Sequence, residues 1–159
     1  MRILLISDTH GSQRSLVELV EQEEDFDLCI HMGDAEGDEE EIAAIVGCPM
    51  EIVRGNNDYN RWLDREKLLN LGKHTILMTH GHGYALYHGY DELVLAARKK
   101  GADTVFFGHT HRPMLEQVGP VLLVNPGSLT YPRQMGRCPT YIVAETDKNG
   151  ELTYKLKEL

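Results

Sequence analysis

Short apolar runs and helical patterns alternate along the first half of the chain. Apolar runs typical of buried strands occupy residues 2–7 (RILLIS), 28–32 (LCIHM) and 50–54 (MEIVR). Between them, residues 12–24 and 39–46 have apolar positions at helical spacing, and Ser12 is placed to cap the first helix. This β-α-β-α-β order predicts parallel strands joined by helices.

The second half of the chain has the pattern of paired strands. Residues 67–80, 113–127 and 139–159 each divide into two apolar runs around a turn, as in β-hairpins, and a helix over 90–100 precedes a strand at 104–108. The simplest architecture is an α/β fold of two mixed sheets packed together with helices outside. A single doubly wound sheet is the alternative, but it explains the late hairpins less well.

Length, charge and cysteine content limit the classes of function. The chain of 159 residues predicts a single domain over 1–159, and a net charge of −9 argues against a long nucleic acid as partner. Its three cysteines form no CxxC motif, which indicates reduced thiols rather than a disulfide framework. The first apolar run is too short for a signal peptide or a membrane span, so we expect a cytoplasmic protein with no membrane partner.

Five short polar clusters each follow a predicted strand directly. Because the carboxyl ends of parallel strands meet at one crevice, we expect these clusters to converge. In extended backbone, residues two apart point the same way, so we expect the pairs within a cluster to share a face. Neighbouring glycines would leave room for a ligand. The clusters are Asp8 and His10; Asp34; Asn56, Asn57 and Asp58; His80 and His82; and His109 and His111.

The residue types in these clusters predict a metal site. Nitrogen and oxygen ligands without thiolate suit Mn, Fe, Co or Zn. Seven candidate ligands are too many for one tetrahedral ion, whereas two ions that share a carboxylate would use them all. Two such ions would keep a net positive charge and attract a phosphate ester. The candidate ligands are Asp8, His10, Asp34, Asn56, His80, His109 and His111.

The order and spacing of the clusters resemble those of the calcineurin-like metallophosphoesterases, and of their short prokaryotic YfcE-type branch in particular. The matching motifs are Asp8-x-His10, Gly33-Asp34, Gly55-Asn56-Asn57-Asp58, His80-Gly81-His82, Gly108-His109-Thr110-His111 and the NPGS segment at 125–128. The resemblance implies a four-layer α/β/β/α sandwich of two mixed sheets, the metallo-dependent phosphatase fold. It also implies hydrolysis of small phosphodiesters and, often, a homodimer or homotetramer.

The same resemblance implies a ligand set and a mechanism. Asp8, His10, Asp34 and His111 would bind one ion; Asp34, Asn56, His80 and His109 would bind the other, so that Asp34 bridges them. Two divalent ions, most often manganese, with Fe, Zn, Ni or Co as alternatives, would activate a bridging hydroxide for in-line attack at phosphorus. His82 would stabilise the phosphoryl oxygens, and Asp58 would orient a ligand or backbone.

Asn57 departs from the pattern of the family, in which many relatives have histidine and the YfcE-type branch often has cysteine. An amide can hydrogen-bond a phosphate oxygen but cannot protonate a leaving group at neutral pH. We therefore expect the protein to prefer esters with good leaving groups. Two alternatives stay open: a phosphomonoesterase or nucleotide phosphatase at the same site, and a non-catalytic scaffold of the same fold, as in a retromer subunit.

Overall fold

Ten strands and three helices form the regular structure of the chain, which a computed structural model describes over residues 1–159. A 3₁₀ turn at Leu86–His88 precedes the last helix. No helix is both long and apolar enough to cross a membrane. The elements are β1 (Arg2–Ile6), α1 (Arg14–Gln22), β2 (Leu28–His31), α2 (Glu39–Val46), β3 (Met50–Ile52), β4 (Glu66–Leu71), β5 (His74–Thr79), α3 (Asp91–Lys99), β6 (Thr104–Phe106), β7 (Pro113–Val118), β8 (Val121–Pro126), β9 (Thr140–Thr146) and β10 (Leu152–Glu158).

The strands form two five-stranded mixed sheets, in the orders β10-β9-β1-β2-β3 and β4-β5-β6-β8-β7. In the first sheet β1, β2 and β3 are parallel, and in the second β5, β6 and β8 are parallel. The remaining pairs are antiparallel and include the three predicted hairpins, β4-β5, β7-β8 and β9-β10. The prediction of two mixed sheets is confirmed, and the alternative of one doubly wound sheet is wrong.

Alternation of side chains along the strands divides the interior into three apolar clusters. In β1, Ile3 and Leu5 lie in the core between the two sheets, whereas Leu4 and Ile6 face α1 and α2. Leu93 of α3 belongs to a third cluster on the outer face of the second sheet. Each fully buried side chain of this size contributes about 1.5–3 kcal/mol. The layers therefore follow the order α/β/β/α, as the sequence predicted.

The start of α1 differs from the prediction that Ser12 caps it. Gln13 is the N-cap residue, and no side chain caps the helix. Ser12 instead belongs to the preceding turn, where its N–H donates to the carbonyl of Thr9 at 3.0 Å. The helix begins later because the chain must first leave the edge of the sheet through this turn.

Candidate metal centre

The carboxyl ends of β1, β2, β3, β5 and β6 place the five polar clusters at one edge of the two sheets. Contacts join clusters from the two sheets across this edge. His111 Nε2 lies 3.1 Å from Asp8 Oδ1, and His80 Nε2 lies 3.5 Å from Asp34 Oδ2. The crevice predicted at the carboxyl ends therefore contains carboxylates from the first sheet and imidazoles from the second.

Two groups of side chains in this crevice could each hold a metal ion. Asp8, His10 and His111 form one group, and Asp8, Asp34 and His80 form the other; within each, the ligand atoms lie within 4.8 Å of one another. Asn56 extends the second group, because its Oδ1 lies 3.1 Å from His80 Nε2. Asp8 belongs to both groups, which brings the two positions close together.

Hydrogen bonds fix the tautomers of three imidazoles in the crevice. The Nδ1 atoms of His10, His80 and His111 lie 2.7 Å from Glu36 Oε1, 2.6 Å from the Met32 carbonyl and 2.8 Å from the Tyr131 carbonyl. These acceptors require a proton on each Nδ1, so each neutral ring presents an Nε2 lone pair to the crevice. This is the arrangement of metal-ligating histidine.

Two of these lone pairs face each other. The Nε2 atoms of His10 and His111 are 3.2 Å apart, and the fully buried Oδ1 of Asp8 beside them has no hydrogen-bond donor. Lone pairs at this separation repel unless a positive charge lies between them. The donor set therefore fits a divalent cation, which would be bound by nitrogen and oxygen ligands without thiolate.

His109 approaches the same crevice from the end of β6. Its backbone N–H donates to Asp8 Oδ2 at 3.1 Å, and its ring centroid lies 5.2 Å from that of His80. Burial, with a further contribution from the charge of His80, lowers the pKa of His109 to about 4. The imidazole is therefore neutral at pH 7, the state in which it can bind a cation.

Charges in the crevice are strongly coupled. Burial favours the neutral acid, but His80, whose Nε2 lies 3.5 Å from Oδ2, and the N–H groups of Asn57 hold the pKa of Asp34 well below its usual range. The pKa of Asp8 is lowered in the same way, against burial, chiefly by His111 and His80. For His80 itself, burial opposes the charge, but Asp34 and Asp8 outweigh it and raise its pKa. Both carboxylates are therefore ionised at neutral pH.

Asp58 connects two of the loops that carry candidate ligands. Its carboxylate accepts N–H groups from Asp34 at 2.8 Å, Glu36 at 2.7 Å and Gly55 at 2.6 Å. Three such bonds satisfy the charge without a cation and fix the loop after β2 against the loop after β3. The geometry places Asp58 beside the ligands rather than among them.

Asn57 lies against Asp34. Its backbone N–H donates to Asp34 Oδ1 at 2.8 Å, and its Nδ2 donates to Asp34 Oδ2 at 2.7 Å. The sequence predicted a contact of this amide with a phosphate oxygen, and did not anticipate that the amide would orient a carboxylate. Each carboxylate oxygen retains a second lone pair for a cation.

His82 lies at the mouth of the crevice and is half-buried. Its ring centroid is 5.5 Å from that of His80, and its buried Nδ1 has no hydrogen-bond partner. Burial and the charge of His80, followed by that of Arg65, lower the pKa of His82. A neutral ring with an unpartnered nitrogen is thus available near the crevice.

Three of the five polar clusters do not have the extended backbone that the sequence argument assumed. Asp8, His10, Asp34, His109 and His111 all have positive φ, from 47° to 64°. As a result His109 and His111 have different neighbours: the ring of His109 lies near His80, and that of His111 near His10. The expectation that residues two apart share a face is wrong for this pair because left-handed turns replace the strand geometry.

The glycines beside the clusters allow neighbouring loops to approach each other closely, rather than leaving space for a ligand. A Cβ on Gly55 would collide with the Asp34 carboxylate, and one on Gly108 would collide with Ser7 Oγ. On Gly33, where φ is +95°, a Cβ would lie 2.7 Å from the Gly55 nitrogen. The space that the sequence reserved for a ligand is occupied by these neighbouring groups.

The supporting roles of Ser128, Asn125 and Glu36 were not found from the sequence. Ser128 Oγ donates to the Asp8 carbonyl at 2.8 Å, and Asn125 Nδ2 donates to the Gly108 carbonyl at 2.8 Å. Fully buried His31 accepts the Gly33 N–H at 3.1 Å, and burial lowers its pKa to about 4. The NPGS segment at 125–128 supported the family resemblance but did not indicate the hydrogen bonds of Asn125 and Ser128. Glu36 gave no signal except its place two residues after Asp34.

Comparison with known proteins gives a consistent result. A family model described as the calcineurin-like phosphoesterase superfamily domain matches residues 1–149. The probable metallophosphoesterase YsnB of Bacillus subtilis is 36% identical over 134 residues, covering 84% of this chain and 78% of YsnB. Phosphodiesterase MJ0936 of Methanocaldococcus jannaschii is 27% identical over 171 residues, covering 93% of this chain and 95% of MJ0936.

The fold is also found in solved structures. The structure of wild-type Vps29 from Entamoeba histolytica complexed with zinc has a TM-score of 0.78 and 20% sequence identity, and the match covers 99% of both chains. At this identity the likeness shows the shared fold alone.

Proposed function

Because the chain belongs to the calcineurin-like phosphoesterase superfamily, we propose that it is a dinuclear-metal-dependent phosphodiesterase that acts on small phosphodiesters. The observation that carries the proposal is the pair of Nε2 atoms of His10 and His111, which face each other at 3.2 Å. Beside them lies the Oδ1 of Asp8, which accepts no hydrogen bond. The relatives named as phosphodiesterase and probable metallophosphoesterase support the reaction class.

The proposed ligand set extends the two groups in the crevice and takes Asp34 as the shared ligand. One ion would be held by Asp8, His10, Asp34 and His111, and the other by Asp34, Asn56, His80 and His109. Asp34 is proposed as the bridge because its Oδ2 lies 3.9 Å from His10 Nε2 and 3.5 Å from His80 Nε2. Asp8 Oδ1 reaches the same two rings at 3.8 Å and 4.0 Å, so it competes for this role.

Divalent cations at these positions would lower the pKa of water and neutralise negative charge that develops at phosphorus. We propose manganese as the activating ion. The chain's own residues do the remaining work. Asn57 holds the Asp34 carboxylate, Asp58 holds the loops after β2 and β3 together, and neutral His82 can hydrogen-bond a phosphoryl oxygen at the mouth of the crevice.

Protonation of the leaving group is the weakest step in this arrangement. The Asn57 amide cannot release a proton at neutral pH, and its Nδ2 already donates to Asp34. Protonation is left to water or to His82, which favours esters with leaving groups of low pKa. Small phosphate esters, rather than a long nucleic acid, are the proposed partners, in a cytoplasmic homodimer or homotetramer.

The purified protein tests the proposal through metal analysis coupled to a substrate panel. We expect about two ions per chain and Mn²⁺-dependent hydrolysis of bis(4-nitrophenyl) phosphate faster than that of 4-nitrophenyl phosphate. Cyclic nucleotides and dinucleotides would extend the panel. Faster hydrolysis of the monoester would favour a phosphomonoesterase. Absence of hydrolysis above background with Mn²⁺, Fe²⁺, Zn²⁺, Ni²⁺ and Co²⁺ would favour the scaffold.

A further inference from the structure

An arginine-lined cleft of about 610 Å³ opens directly beside the candidate metal centre. Arg54, Arg61 and Arg65 line it together with Asn56 and His82. Asn56 and His82 also lie at the centre, where Asn56 Oδ1 is 3.1 Å from His80 Nε2. A ligand in the cleft would therefore be continuous with a group bound at the centre.

The charge of this cleft is opposite to that of the whole chain, whose net charge is −9. None of the three arginines forms an ion pair with a carboxylate within 4.0 Å. Asp58 is the only acid that lines the cleft, and both of its carboxylate oxygens accept backbone N–H groups. The cleft therefore keeps a net positive charge, because three guanidinium groups face one carboxylate.

Guanidinium groups match the geometry of phosphate oxygens and bind them in a bidentate manner. Three guanidinium groups carry more positive charge than a single phosphodiester, with one negative charge, would require. The scissile phosphate would lie at the metal ligands, and the arginines line a cleft that shares Asn56 and His82 with the centre. The cleft is therefore placed for a second anionic group of the same substrate.

We propose that the cleft formed by Arg54, Arg61 and Arg65 binds a second phosphate of the substrate, so that phosphodiesters with a further phosphate are preferred. This inference rests on the proposed phosphodiesterase function. A second cleft of about 660 Å³, lined by Arg112, Arg133 and Arg137, contains none of the candidate ligands or catalytic residues. It therefore carries no part of this proposal.

Two chromogenic diesters with the same leaving group test the preference. They are thymidine 5′-(4-nitrophenyl phosphate) and the same compound with a 3′-phosphate. We expect the Mn²⁺-loaded protein to hydrolyse the 3′-phosphorylated ester with a kcat/KM at least about tenfold higher, mainly through a lower KM. Equal kcat/KM values for the two esters would overturn the inference.

The variant Arg54→Gln/Arg61→Gln/Arg65→Gln should reduce this preference to less than about twofold. The preference is measured as the ratio of kcat/KM for the two esters within each variant, because loss of Arg65 also removes a charge that lowers the pKa of His82 and so affects both esters alike. The matched control Arg14→Gln/Arg98→Gln/Lys148→Gln removes the same charge elsewhere and should keep the preference. Survival of the preference in the cleft variant, or its loss in the control, contradicts the proposal.

A binding measurement separates the cleft from catalysis. With metal-free protein, thymidine 3′,5′-bisphosphate should bind at least about fivefold more tightly than thymidine 5′-monophosphate, and the cleft variant should bind both equally. If neither ester is hydrolysed, the proposed function is wrong. The two binding affinities still show whether the cleft binds a second phosphate. Should the triple variant unfold, Arg61→Gln/Arg65→Gln replaces it, because both side chains are exposed.

Discussion

The Nε2 atoms of His10 and His111 lie 3.2 Å apart, and each ring has its Nδ1 at an acceptor on its other side. A cation between these two atoms would remove the repulsion of their lone pairs. Nearby, the carboxylates of Asp34 and Asp8 outweigh burial and raise the pKa of His80. Protons and metal ions therefore compete for the same lone pairs.

Metal uptake should release protons and weaken as the pH falls. Titration of Mn²⁺ or Zn²⁺ into metal-free protein at pH 6.5 should release at least about one proton per chain. The affinity should fall as the pH drops through the raised pKa of His80, because the imidazolium cannot bind a cation. Calorimetry in buffers of different ionisation enthalpy measures the release. An affinity that is constant from pH 8 to pH 6 would contradict this.

Replacement of the proposed bridging ligand should affect both ions. We expect Asp34→Asn to bind less than one ion per chain and to lose more than about 100-fold in phosphodiesterase activity. Asp8→Asn should lose chiefly one ion. Metal analysis and bis(4-nitrophenyl) phosphate hydrolysis check both, with exposed Asp25→Asn as the charge-matched control. If Asp34→Asn keeps two ions and full activity, the bridging assignment is wrong.

A methyl group at Gly55 should displace the Asp34 carboxylate, with which it would collide. We expect Gly55→Ala to lower the free energy of unfolding by about 1–3 kcal/mol and to weaken metal binding. Gly83→Ala is the matched control, because its Cβ would meet no atom within 4 Å. Urea unfolding compares the two variants. Equal stabilities would show that the loops after β2 and β3 adjust freely.

Introduction of an acid at position 57 should change the dependence of rate on the leaving group. In the wild type, log kcat/KM should fall steeply as the pKa of the leaving phenol rises, since Asn57 cannot donate a proton. Asn57→His should give a shallower slope across a series of aryl diesters. Asn57→Gln, which retains an amide, is the control. Equal slopes for wild type and Asn57→His would contradict the interpretation.

Glu23 should contribute to stability above acidic pH. Its side chain is 6% exposed and contacts Arg2, Lys157 and Tyr141. Burial raises the pKa of Glu23, but hydrogen bonds from Lys157 and Tyr141 outweigh it and lower the pKa. The contribution of Glu23 to stability is thus complete above about pH 4.3, the pKa of glutamate in the unfolded chain. It is lost as the pH falls through the lowered pKa of the folded state.

The corresponding measurement is urea unfolding from pH 6 to pH 3. Glu23→Gln should be less stable than the wild type at pH 6, and the difference should shrink as the pH approaches 3. Exposed Glu21→Gln should follow the wild type across the range. A difference between Glu23→Gln and wild type that is independent of pH would contradict the assignment.

The sequence predicted the sheets because periodicity is local: the alternation in β1 is visible in the chain itself. It also predicted where Asp8, Asp34 and His80 would meet, since the carboxyl ends of parallel strands share an edge. It could not predict contacts that depend on backbone angles. The left-handed turn at His109, the amide of Asn57 on Asp34 and the pairing of Glu36 with His10 arise from loop geometry.

The hydrogen-bond acceptors of the three histidine Nδ1 atoms differ in whether a mutation can remove them. His80 and His111 donate to the main-chain carbonyls of Met32 and Tyr131, which remain whatever side chain is present. His10 donates to the side chain of Glu36, which a single codon change can replace. Among descendants of this sequence, one substitution at position 36 can therefore remove the acceptor that orients the His10 ring, whereas the acceptors that orient His80 and His111 persist.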